Sequence, residues 1–399
     1  MSVNEKMKVV YLDNNATTRV APEVVEKMLP FFTERYGNPS SIHSFGGSVM
    51  PEIENARRQV AELIGADFRN KDNIATEIIF TSCGTESDNA AILSALATQN
   101  GRKKIVTGRI EHPAILSLCK DLERRGYEIV TVGVDGFGRV NLDDFRNVVD
   151  ENTAIVSMMW ANNEIGNIYP VEEIAEIAHA KGALFHTDAV QAVGKIPIDM
   201  SKNSIDFLSL SGHKLHAPKG VGVLYVRRGV RFHPFLIGGH QEMGRRGGTE
   251  NAASVIGLGE AARMAKETMD KEVIELAELR DRLEKGLLER VPKIRINGDI
   301  QSRLPNTSSV SFEFIEGESI LMLLDAFGIC ASSGSACTTG SLEPSHVLRA
   351  MGLPYTAAHG TIRFSFSRYN TVEDVDFVLE KLPPIIDRLR QISPYWSEK

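Results

Sequence analysis

The segment Ser209-Leu-Ser211-Gly-His213-Lys214-Leu-His216-Ala-Pro-Lys219-Gly220 sets a lysine among small and hydrogen-bonding residues directly after an apolar run. A neutral, accessible amine in such a turn can form a Schiff base with an aldehyde cofactor such as pyridoxal phosphate. The alternative is a turn whose lysine points to water. Upstream, Leu184-Phe-His186-Thr187-Asp188-Ala189-Val-Gln191 ends an apolar run in an aspartate, where α/β sheets build sites. A carboxylate beside a pyridinium nitrogen keeps that nitrogen protonated, and the protonated ring is an electron sink. Otherwise Asp188 caps the next helix, the commoner task for an aspartate at a strand end. One strand–helix–strand unit separates the two segments, and together they favour the cofactor reading.

Further segments fit the same chemistry. Ile79-Phe-Thr81-Ser82-Cys83-Gly84-Thr85-Glu86-Ser87 passes from an apolar run through glycine into a helix-like stretch, and backbone N–H groups at a helix N-terminus suit a phosphate. His112, in Glu111-His112-Pro113-Ala114, can stack on a planar ring or shuttle protons. It can equally be a satisfied turn histidine, and the same holds for Asn163 in Ala161-Asn162-Asn163-Glu164-Ile165-Gly166. Cys337 lies in Ala331-Ser-Ser-Gly334-Ser335-Ala336-Cys337-Thr338-Thr339-Gly340-Ser341, a small-residue stretch that predicts an accessible thiol. Cys119 and Cys330 read as core and Cys83 as packing. Arg363, within the apolar run Thr361-Ile-Arg363-Phe-Ser365, needs a partner: a carboxylate ligand held by two parallel bonds, or a structural ion pair.

Other chemistries lose ground. Gly136-Phe-Gly138 lacks the third glycine of a dinucleotide fingerprint, Gly194-Lys195 is no P-loop, no HExxH occurs, and Cys330 and Cys337 lack zinc-finger spacing. The 399 residues carry a net charge of −7 without a dense basic run, which argues against nucleic acid or an anionic membrane. A hydrophobic share of 42% and a charged share of 24% are ordinary for a globular chain. Four cysteines suggest a reducing compartment, and neither a signal peptide nor a membrane span is read. A soluble cytoplasmic enzyme is expected.

The positioning elements follow from the periodicity. Ile78–Phe80, Lys104–Thr107, Glu128–Val132, Thr153–Met158, Leu184–Thr187 and Phe207–Leu210 are predicted as buried strands, with Val221–Val226 adding another. Helices are predicted between them at Leu116–Arg125, Leu142–Val149 and Val171–Lys181. This alternation implies an α/β layer structure with a mainly parallel sheet covered on both faces. After Gly259 the texture changes. A long charged helix, Glu260–Arg290, leads to strand-like Ser308–Phe314, a helix near Ser319–Phe327, strand-like Thr361–Phe366 and a final helix from Val372 to about Ile392. These predict a smaller α+β domain, with a boundary near residue 260.

Tyr11-Leu-Asp-Asn-Asn-Ala-Thr-Thr18, SCGTES, EHPA, ANNEIG, HTDAVQAVGK, SGHKLHAPKG, GRRGGTEN and SSGSACTTGSLEPSHVLRAMG occur in one order along almost the whole chain. In that order they resemble the NifS/IscS-type cysteine desulfurases, and the SSGSACT segment resembles the longer-loop group. The resemblance implies a homodimeric fold-type I pyridoxal phosphate enzyme with a sheet of the seven-stranded type. Its large domain would span 18–260, and 1–17 with 261–399 would form the small domain. It would release alanine from L-cysteine and keep the sulfur as a persulfide on Cys337. Lys214 would be the Schiff-base lysine and base, Asp188 would pair with the ring nitrogen and His112 would stack on the ring. Asn163 and Gln191 would bond the ring-hydroxyl side. Gly84, Thr85, Ser211 and His213 would hold the phosphate, with Thr249 arriving from the other subunit. Arg363, with Asn163, would bind the substrate carboxylate.

The resemblance further implies a NifU/IscU-like scaffold as sulfur acceptor and no intrinsic metal, with Cys337 available as a transient iron–sulfur ligand. Cys83-Gly84 departs from the Gly-Ala of many relatives, and the end shortly after Trp396 leans towards a NifS-like member. An aminotransferase of the same fold would need Lys214 and Asp188 but no nucleophile at Cys337. A sulfur or cluster carrier would need no Lys214.

Overall fold

The computed structural model describes residues 8–66, 75–333 and 344–396. Seven short strands form the central sheet: β1 (Ile78–Thr81), β2 (Lys104–Gly108), β3 (Glu128–Val132), β4 (Thr153–Ser157), β5 (Leu184–Asp188), β6 (Phe207–Ser211) and β7 (Gly222–Val226). Their order is β1-β7-β6-β5-β4-β2-β3, and only β7 runs against the others. All but the edge strand β3 are almost wholly buried. This explains their unbroken apolar runs, since helices cover both faces of a parallel sheet. The predicted strands lie within a residue or so of the observed ones.

Helices α1 (Met50–Leu63), α2 (Gly84–Thr98), α3 (Pro113–Arg124) and α4 (Val171–Ala180) pack around the sheet. Helix α5 runs from Ala252 to Arg290, about 58 Å at 1.5 Å per residue. It starts earlier than the change of texture at Gly259 suggested, because Asn251 caps it by accepting from Ser254 N. Its first half packs on α1 so closely that a Cβ on Gly259 would lie 2.5 Å from Ala56 Cα.

A second, antiparallel sheet of order β10-β11-β9-β8 comprises β8 (Ile294–Ile296), β9 (Thr307–Phe312), β10 (Ser332–Ser333) and β11 (Thr361–Ser365). Strand β9 stops at Phe312, short of the expected Phe314, where the backbone turns left-handed at φ 70°. Final helix α6 (Val372–Ile392) opens on a Thr371–Asp374 capping box. Among the described residues the apolar core falls into three clusters, one on each face of the large sheet and one against the second sheet. Ala253–Ala265 of α5 contribute to one on the large sheet, and Leu276–Leu287 to that of the second sheet, with Phe312, Phe364 and Val378. Val10 and Leu12 join the cluster of the second sheet, whereas Val347, Leu348 and Met351 pack against the large sheet. No described helix is long and apolar enough to cross a membrane.

Candidate active site

The strands that run together deliver their C-terminal ends to one edge of the large sheet. Strand β5 ends in Asp188, β6 runs through Ser211 into a single 3₁₀ turn, Gly212–Lys214, and α2 and α3 begin there at Gly84 and Pro113. Between this edge and the second sheet lies a cavity of about 510 Å³. Gly84, Thr85, His112, Asn163, Asp188, Gln191, Ser211, His213, Lys214 and Arg363 all line it. Sequence segments far apart in the chain therefore converge on one place.

Lys214 Nζ donates to the carbonyls of Asn15 and Ala16, at 2.6 Å each. Asp188 is buried, and its Oδ1 accepts from Val190 N at 2.9 Å. Burial pushes its carboxyl upward, and His112 and Lys214 oppose that push. A cationic ring nitrogen would oppose it further. His112 caps α3: its Nδ1 accepts from Ala114 N at 3.2 Å, which leaves Nε2 as the protonated nitrogen of the neutral ring. Burial depresses its pKa, so the neutral form is favoured. His213 hydrogen-bonds Thr17 Oγ1 through Nδ1 and is pulled down to about 4 by burial first and Lys214 next.

No side chain caps α2, whose N-terminus opens at Gly84. A Cβ on Gly84 would sit 2.9 Å from Val190 Cγ2, so glycine keeps this turn close to the end of β5. Uncapped N–H groups, the helix dipole and the Ser211 hydroxyl make a suitable phosphate cradle. With a lysine amine, a buried carboxylate and a neutral histidine on the same cavity, the residues fit pyridoxal phosphate.

Arg363 has the structural ion pair that was one of its two expectations, and it also lines the cavity. Its Nη2 pairs with Asp13 Oδ1 at 2.8 Å and its Nη1 donates to the Asn163 carbonyl at 3.0 Å. Its Nε has no hydrogen-bond partner among the described residues. Thr249 is exposed and does not line the cavity of its own chain. Cys337 lies outside the described residues; the chain on either side of it enters at β10 and leaves at Pro344-Ser345, which lines the cavity. Of the other thiols, Cys119 is buried and pushed up to about 12 by burial, as core packing implies. Cys330 is only partly buried, and Cys83 lines the cavity.

Several residues at the site had no assigned role. Asn15, only 2% exposed, joins both sides of the cavity. Its carbonyl accepts from Lys214 and Gln191, its Nδ2 donates to Asn163 O and Thr307 Oγ1, and its N–H donates to Ser365 Oγ. The run Asp-Asn-Asn-Ala-Thr-Thr was visible in the sequence, but nothing local says that it reaches Lys214. Near Asp188 lie two more buried acids, Asp88, which also lines the cavity, and Glu111, both pushed well up by burial and by the Asp188 charge. His186 is held between the hydroxyls of Ser157 and Ser209, at 2.9 Å each, and burial pulls it down to about 3. Its position two residues before Asp188 puts both side chains on one face of β5.

The sequence matches the family Aminotransferase class-V over residues 10–378. A cysteine desulfurase of Gluconacetobacter diazotrophicus is 61% identical, over 98% of this chain and 96% of its own length. Cysteine desulfurase NifS of Azotobacter vinelandii is 59% identical, over 97% of this chain and 95% of its own. A solved NifS-like protein superposes with a TM-score of 0.88 at 40% identity, covering 96% of this chain and all of the other. With this fold, this cavity and matches of that extent, the chain belongs to the class-V aminotransferase family.

Proposed function

We propose that this protein is a pyridoxal phosphate-dependent cysteine desulfurase, converting L-cysteine to L-alanine and an enzyme persulfide on Cys337. The observation that carries the reading is the convergence of Lys214, Asp188, His112 and the open N-terminus of α2 on one cavity with Arg363 across from them. Relatives named for this activity align along nearly the whole chain. When bound, the cofactor supplies an electron sink for charge developing at the substrate Cα.

The chain's own residues would divide the work. Lys214, reached through its 3₁₀ turn, holds the cofactor aldehyde carbon and afterwards takes and returns the proton at the substrate Cα. Asp188 supplies the negative charge under the ring nitrogen, and neutral His112 covers the ring. Gly84, Thr85, Ser211 and His213 hold the phosphate, and Asn163 and Gln191 the ring hydroxyl. Arg363, with Asn163, binds the substrate carboxylate. The Cys337 thiolate attacks the substrate Sγ and forms an S–S bond as the C–S bond breaks. The carbon keeps the electron pair and is protonated to the methyl group of alanine, so the step needs no external oxidant.

Exposed Phe32, Tyr36, Ile42, Phe235 and Ile237, and exposed Thr249, support a homodimer in which Thr249 serves the partner's phosphate site. The division into a large domain, 18–260, and a small one, 1–17 with 261–399, is supported by the separate apolar clusters of the two sheets, with Val10 and Leu12 in that of the second, except at Val347, Leu348 and Met351, which pack against the large sheet. The sulfur would pass in the cytoplasm to a NifU/IscU-like scaffold for iron–sulfur cluster assembly, with Cys337 a transient cluster ligand; the NifS name of a relative supports that destination.

The test is L-alanine release from L-cysteine under reducing, anaerobic conditions. The wild type should turn over, and Cys337→Ala should bind the cofactor without turning over. Equal alanine release by both would remove Cys337 as nucleophile; release by neither would favour an aminotransferase.

A further inference from the structure

Lys195 is a cation that the proposed mechanism does not use. It follows β5 in the turn that carries Gln191, and its amine lies deep enough for burial, with the nearby Lys214 and Arg363 charges, to pull it down to about 7. Among the described residues no carboxylate pairs with it. Its Nζ donates to Gln191 Oε1 at 2.6 Å and to Asn15 Oδ1 at 3.4 Å. Gln191 Nε2 donates in turn to the Asn15 carbonyl at 3.0 Å, the same oxygen that receives Lys214 Nζ.

The two anchors of the Gln191 amide are of opposite kinds. A lysine amine, charged or neutral, has an N–H to give, and a peptide carbonyl can only accept. Turning the amide over would set its oxygen against the Asn15 oxygen and its N–H groups against the lysine donor. The orientation with Oε1 on Lys195 is thereby fixed, and the second Nε2 hydrogen remains for a ligand in the cavity that Gln191 lines. From this geometry we infer that Lys195 is a positioning residue for the cofactor: it locks the Gln191 amide and, through the shared Asn15 carbonyl, the seat of the Lys214 amine. The inference rests on the proposed role of Gln191 at the cofactor ring hydroxyl.

The experiment is a double-mutant cycle of Lys195→Met and Gln191→Leu, with pyridoxal 5′-phosphate as the probe. The readouts are its dissociation constant from the cofactor-free proteins and the visible absorption maximum of the bound form. Lys195→Met alone should weaken cofactor binding about tenfold, the scale of one well-formed hydrogen bond at a buried site. It should also move the absorption maximum in the direction that Gln191→Leu moves it. In the Gln191→Leu background the same change should cost less than about twofold, because the group it acts through is gone. Equal losses in both backgrounds, or an affinity and spectrum unchanged by Lys195→Met, would overturn the inference. Lys195→Ala runs the same cycle if the methionine variant does not fold. Cofactor uptake and alanine release by the parent protein judge the desulfurase reading separately, so the two can fail independently.

Discussion

The two sides of the cavity are built on different principles. The side formed by the large sheet places its groups at strand and helix ends: Asp188 closes β5, Lys214 the turn after β6, and His112 caps α3. Its acids, Asp188, Asp88 and Glu111, are all pushed up by burial, so it favours added positive charge. On the opposite side, Arg363 already has two partners, Asp13 and the Asn163 carbonyl. Ser345 donates to buried Glu164, and His346 Nε2 meets the Glu111 carbonyl at 2.9 Å. The first side is arranged to retain a cationic ring. On the second side, a substrate carboxylate held by Arg363, as proposed, would exchange one satisfied contact for another, which would suit a ligand that comes and goes.

The largest effect should come from the retaining side. Lys214→Ala should lower kcat by about 10⁴-fold or more, as removal of a covalent catalytic group does, and its cofactor should be lost on dialysis. A variant that keeps turning over would break the contrast, because the sheet edge would then be scaffold alone. Next comes the exchanging side. Arg363→Lys should lower kcat/KM by about 10- to 100-fold, chiefly through KM, since a lysine cannot give two parallel bonds to a carboxylate. A fall confined to kcat would move Arg363 to the retaining side.

The smallest effect concerns Glu164, whose carboxyl burial raises from 4.5 to about 7. The unfolded chain releases this proton near 4.5 and the folded chain only near 7. Stability is therefore fully present below 4.5, falls as pH rises between the two values, and stays lowered above 7. Glu164→Gln should remove that slope, melting a few degrees (about 2–4 °C) higher than the parent at pH 8 and equally near pH 4. Turnover should change by less than about threefold. Thermal melts across this range check it, and parallel profiles would show that Ser345 rests on a carboxylate ionised in both states.

The strands and the site residues they carry were legible because a parallel sheet buried on both faces leaves unbroken apolar runs. The motifs at their ends then sit where such sheets bind ligands. Phe80, Val156 and Leu208 illustrate the buried pattern. Asn15 was not legible as a hub, because its partners, Lys214, Asn163, Thr307 and Ser365, are distant in the chain and no local periodicity encodes them. Asp88 and Glu111 were missed for a related reason. Nothing local in the sequence marks them, and only the packing around Asp188 gives them their burial. Arg363 was legible as a residue in need of a partner, but the Asp13 contact depends on how the N-terminal segment lies against β11.

Helix α5 has one more consequence, which concerns how the molecule comes apart. Its first half is held in register by the core of the large sheet and its second half by that of the second sheet, along one unbroken run of backbone hydrogen bonds. Neither core can melt without stripping the apolar face from a helix that the other still holds. The free energy of opening one is therefore shared with the other, and the molecule has no inexpensive half-unfolded state in which the cavity between them falls open.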